Sequence, residues 1–196
     1  MDFSRYIDQY CERVAPGLLA EPINLITNLA FFLAAFFALL KLNSLPLHGA
    51  KRRAWLALII LTFLVGTGSA LFHSVATAWA QMADVIPIIF LLFAFIFVHC
   101  YFGLGIGLGK SVLALITFLF VTVLISLAVD SEKVNGSQDY FGTVVMLIVM
   151  GLDMWRRNVK SSAKMFIAGG VCFAISLVFC SVDMKFFNSW PLGTHF

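Results

Sequence analysis

Charge is what this sequence has least of. Of its 196 residues only 12% are charged, about half the share of an ordinary soluble domain. Hydrophobic residues make up 61%, against about 45–50% in such domains. A soluble core of this size cannot hide that much apolar surface, so lipid is the solvent for most of the chain. The formal net charge of +3 is too small to suggest a nucleic-acid partner. A secretory leader is missing too: MDFSRYIDQYCER is polar and mixed in charge, without a basic start, an apolar run or a small-residue cleavage site. The first apolar segment then serves as its own targeting signal. The four cysteines, Cys11, Cys100, Cys172 and Cys180, show no CxxC spacing, which argues against a cysteine zinc site. They read as small buried hydrophobes, with a Cys11–Cys180 bridge as the alternative. Strict alternation of apolar and polar residues is absent as well, which excludes a membrane β-barrel.

What the sequence does hold is long apolar runs. A spanning helix needs about 20 mostly apolar residues, and six runs approach this: Pro22–Leu42, Ala54–Phe72, Val85–Phe102, Ser111–Val129, Tyr140–Trp155 and Met165–Val182. The fifth is the shortest, and a seventh begins near Leu192. The expected fold is an all-α membrane protein, a seven-helix transmembrane bundle with six complete helices and the start of the seventh, forming one domain over 1–196. The glycines of FGLGIGLGK follow no strand and read as a turn between helices rather than a nucleotide loop. Gly66, Gly68, Gly169 and Gly170 suit close helix packing.

Lys41, Lys51, Arg52, Arg53, Lys110, Arg156, Arg157, Lys160 and Lys164, nine of the 13 basic residues, fall on loops one, three and five. The positive-inside rule places those loops in the cytoplasm and the N-terminal segment, residues 1–20, on the opposite side. Nine of the 10 acids, all but Asp153, share that opposite side with His73 and His195.

Several of these polar groups crowd the apolar ends. In GTGSALFHSVATAWAQMAD (Gly66–Asp84), Ser69 and His73 are four residues apart, on one helical face. Asp84 opens the third run, Glu21 precedes the first with Asn24 and Asn28 along one face of it, Asp183 closes the sixth, and His195 opens the seventh. Ionisable groups at membrane depth are functional candidates by default. The chemistry that suits them is a metal-activated water: zinc takes histidine nitrogens and keeps one position for water. His73 and His195 supply two nitrogens, Asp84 is placed to orient the water and accept its proton, and Ser69 to hydrogen-bond a developing oxyanion. Asn28 and Asp183 support these groups from behind. Asp8, Glu12, Glu21 and Asn24 form a second, oxygen-rich group suited to Ca²⁺. Each residue also has a structural reading: His73 as an interfacial histidine, Asp84 as a helix N-cap, Ser69 as a packing residue, and the N-terminal acids as caps of the first helix.

YCE at Tyr10–Glu12, AEPINLITNLAF at Ala20–Phe31, GTGSALFHSVATAWAQMAD and the closing PLGTHF together resemble the alkaline ceramidase family, within a superfamily of seven-helix membrane hydrolases. The resemblance covers nearly the whole chain. It implies cleavage of the ceramide amide to a sphingoid base and a fatty acid at a zinc site. His73 and His195 match zinc ligands, Asp84 the residue that holds or deprotonates the water, and Ser69 the group beside the reacting carbonyl. Glu12 and Glu21, with Asp8, match calcium ligands of the animal enzymes, but Tyr10 stands where those carry tryptophan and Val14 where they carry an asparagine ligand. The family pattern has a further histidine four residues after the one matching His195, a position beyond Phe196, so the sequence is expected to be a fragment. Another lipid hydrolase of the superfamily, acting on an ester or receptor-like, is the alternative. A transporter or receptor using the same polar layer is a third reading, and it predicts a strongly interrupted helix.

Overall fold

The computed structural model describes residues 2–13, 17–186 and 193–194. Among these residues the chain is helical and contains no strand. It forms two compact units, the first running to Ala114 and the second beginning at Leu115.

The first unit holds α1 (Pro22–Thr27), α2 (Leu29–Asn43), α3 (Gly49–Val75) and α4 (Ala78–Val98). Pro22 occupies the first turn of α1, where a missing N–H leaves no bond unmade. The next two amide donors meet the Glu12 carboxylate, from Ile23 at 2.6 Å and from Asn24 at 3.1 Å. A buried carboxylate thus satisfies donors that a helix start leaves orphaned. Each hydrogen bond to a charged group contributes about 1.5–3 kcal/mol, so Glu12→Ala, which removes both, is expected to destabilise the protein by about 3 kcal/mol or more, read from thermal unfolding in detergent. Asn28 interrupts the helix between α1 and α2, and the two share one apolar span, Pro22–Asn43. α3 packs against α2 and α4. A π-helical turn, His99–Gly103, ends α4, and Gly105 and Gly107 follow at φ 66° and 83°. Within FGLGIGLGK the turn that the sequence implied is residues 104–107; Phe102 and Gly103 still belong to the π-helical turn and Leu108 to Lys110 already to the next helix. α5 (Leu108–Ala128) starts immediately after it.

In the second unit α6 (Phe141–Arg156) packs against α7 (Lys160–Val182). A Cβ at Gly142 would collide with Thr122 of α5, and one at Gly170 would sit 2.9 Å from Ile148 Cδ1. Gly66 lies equally close to Phe31 in the first unit. Gly169 does not fit the close-packing reading: nothing lies within 4 Å of a Cβ built there. No disulfide forms among the described residues; Cys11 and Cys100 are buried, whereas Cys172 is exposed.

Six hydrophobic segments result among the described residues, five of them long and apolar enough to cross a membrane. The sixth, α6, has 16 residues, short of the usual span, as its apolar run already indicated. A seven-helix count is not confirmed, and Leu192 and His195 lie outside the described residues. Phe36, Phe37, Phe90, Leu113, Phe120 and Val178 are exposed, the outward apolar surface a lipid solvent requires. The helices also overrun their apolar runs. α3 starts at Gly49 rather than Ala54, and the third segment starts at Ala78 rather than Val85. Polar residues at helix ends are still helical, because backbone groups near lipid must be paired within the segment.

Candidate active site

The turn between α3 and α4 organises the site. Ala76 is fully buried and left-handed at φ 54°, so the chain reverses within two residues and Thr77 takes the N-cap position of α4 without a side-chain cap bond. Asp84 is therefore not the cap of its helix; it lies well inside the helix, on the stretch that faces α3.

Close approach of the two backbones sets that facing. A Cβ at Gly68 would collide with the Ala83 carbonyl and lie 3.0 Å from the Asp84 Cα. Pro87 contributes to this contact. Having no N–H, it cannot take the helical bond from Ala83, four residues earlier, and that carbonyl lies against Gly68 instead. With the backbones this close, Ser69 and His73 of α3 stand beside Asp84 of α4. The Ser69 hydroxyl donates to the Asp84 carboxylate, and His73 is near enough to act on it electrostatically. Asp84 Oδ1 is buried and has no hydrogen-bond partner among the described residues.

The N-terminal segment is strapped across this turn. Ile7 N–H donates to the Ala76 carbonyl at 2.8 Å, and Ala78 and Trp79 donate to Arg5 and Phe3 at 3.0 Å each. On the other side, Ala20 N–H reaches the Ser74 carbonyl at 3.1 Å and Glu21 N–H the His73 carbonyl at 3.0 Å. These main-chain bonds carry Glu21 to His73. Glu21 is fully buried; its Oε2 lies 2.5 Å from His73 Nδ1 and accepts from Asn24 Nδ2 at 2.9 Å, while its Oε1 pairs with Arg13. Asn28 donates to the Asn24 carbonyl at 2.9 Å, so it supports the chain of contacts through Asn24 rather than touching His73.

The residues singled out from the sequence therefore separate. Ser69, His73, Asp84, Glu21, Asn24 and Asn28 come together in the first unit. Glu12 spends its carboxylate on the start of α1, and Asp8 is exposed. Among the described residues no group of three or more His, Cys, Asp or Glu side chains is arranged to hold a metal ion. Asp183 belongs to the second unit, where it is buried and accepts the Thr194 N–H at 2.5 Å. His195 lies outside the described residues. Sequence reasoning gave Arg13 no role beyond topology. Its one signal was position, a cation set between Glu12 and Glu21 just before an apolar segment.

A carboxylate on one nitrogen of a histidine, with a buried and unpartnered carboxylate oxygen alongside, is a donor arrangement suited to a metal ion. The Glu21 carboxylate is placed to accept an N–H from His73 Nδ1 and so to orient the ring. A family model described as Ceramidase matches residues 7–194. No curated protein and no solved structure matches the chain.

Proposed function

The chain belongs to the ceramidase family, and from that premise we propose that it is a zinc-dependent membrane amidase. It cleaves ceramide-like sphingolipids to a sphingoid base and a free fatty acid. The observation that supports this most directly is the Glu21–His73 contact beside Asp84 and Ser69.

His73 and His195 are the proposed zinc ligands, His73 through Nε2, with His195 entering from the sequence alone. Zinc, when bound, supplies a Lewis acid and lowers the pKa of a water to about 7. Asp84 accepts the proton of the attacking water on its unpartnered Oδ1 and returns it to the leaving amine, so the base and the acid of the cycle are one group. The Ser69 hydroxyl, held at Asp84 in the resting site, donates to the carbonyl oxygen as it gains charge. Glu21 keeps the His73 ring from rotating. The apolar exterior of the helices lets the acyl chain stay in lipid while the amide meets this polar layer. In the membrane, loops one, three and five face the cytoplasm and the strapped N-terminal segment the opposite side, as the distribution of lysine and arginine favours.

Fatty-acid release from ceramide by the purified full-length protein, together with its zinc content, tests the reading. Absence of release, or an ester lipid cleaved far faster than ceramide, would sink it. Asp84→Asn keeps the shape but not the base, and kcat on ceramide is expected to fall about 10²–10⁴-fold with zinc content retained.

A further inference from the structure

The proposed chemistry leaves a buried cation without a task. Arg13 and Glu21 form an ion pair whose side chains are both 0% exposed. Charges removed from water this completely persist only when paired and hydrogen-bonded. The guanidinium lies 4.8 Å from the centroid of the Phe72 ring and 5.7 Å from that of Tyr10. Those rings flank His73 in turn: Tyr10 is 5.8 Å and Phe72 5.7 Å from the imidazole, centroid to centroid. Arg13 Nη1 donates to the Ile7 carbonyl, and Ile7 is the residue whose N–H is pinned to the α3–α4 turn at Ala76. One arm of the guanidinium fork thus grips the strap and the other grips Glu21.

We propose that Arg13 is the resident cation at Glu21 and a positioning residue for His73. It acts through Glu21: by holding Oε1 it leaves Oε2 aimed at His73 Nδ1, and the imidazole keeps one tautomer and one orientation. A fixed fork suits this task better than a point charge, because two acceptors on different segments must be held at once. With the guanidinium on Glu21 and two helix-start amides on Glu12, both carboxylates are met by groups of this chain rather than by a divalent cation. The inference rests on the hydrolase reading for its catalytic consequence, but its structural claim concerns His73 alone.

The test uses the full-length protein and compares Arg13→Met and Arg13→Lys with wild type. The readouts are kcat and KM on ceramide, zinc content, and the ¹⁵N signals of the His73 ring in selectively labelled protein. Arg13→Met is expected to lower kcat about 10–100-fold, the effect of losing an outer partner of a metal-ligating histidine, with KM nearly unchanged and the Nδ1–H signature of His73 lost. Arg13→Lys is expected to retain more activity than Arg13→Met but less than wild type. Calcium chloride or a calcium-selective chelator is expected to leave the wild-type rate unchanged. An unaltered His73 signature in Arg13→Met overturns the proposal, as does a calcium-dependent wild-type rate. Should Arg13→Met not fold, Arg13→Lys decides: wild-type kcat and ring signals in that variant overturn the need for the fork. A wild-type protein inert on ceramide whose His73 signature still depends on Arg13 would overturn the hydrolase reading and leave this one standing.

Discussion

His73→Ala is expected to remove amide hydrolysis and bound zinc together. The loss in activity should exceed about 10²-fold, the upper reach of what deleting even an outer partner of a ligand costs. The substitution also strips Glu21 of its 2.5 Å contact. Glu21 would then keep Arg13 and Asn24, so the buried carboxylate stays paired and the fold is expected to survive. Thermal unfolding in detergent, zinc content and fatty-acid release on the same preparation distinguish a lost ligand from a lost fold. Normal zinc content with normal turnover would remove His73 from the site.

The second large effect is expected from a single methyl group. At Gly68 an added Cβ meets backbone, the Ala83 carbonyl and the Asp84 Cα, so no side-chain rotation relieves it. α3 and α4 must separate. Overpacking of this kind costs about 1–3 kcal/mol, and a displacement near 1 Å between reacting groups can cost about 10²-fold in rate. Gly68→Ala is therefore expected to lower both the unfolding temperature and kcat, because the same crossing that packs the helices also places Ser69 and His73 beside Asp84. Gly169→Ala is the control, since open space surrounds that position; it should change neither. Equal behaviour of the two variants in activity assays would show that the α3–α4 crossing does not set the site.

Apolar run length alone determined much of this protein: helices in lipid, the existence and order of six segments with starts off by up to about seven residues, the short α6, and the turn at the glycine run. These follow from one-dimensional properties, because a chain in lipid must close its backbone bonds within each segment. The spacing of Ser69 and His73 likewise placed both on one face, and their partnership with Asp84 could be anticipated because a short turn joins their helices. The choice of partner for each carboxylate was not legible in the same way. Glu12 and Glu21 looked alike in sequence, two acids before an apolar run. Yet one closes the amide donors of α1, and the other lies between Arg13 and His73. That division depends on the strap's main-chain bonds to the α3–α4 turn and on the close approach at Gly68, contacts between segments tens of residues apart. Residue type and spacing state what a side chain can do. Only the tertiary structure decides, through the high cost of leaving a buried charge unpaired, which neighbour it must do it with.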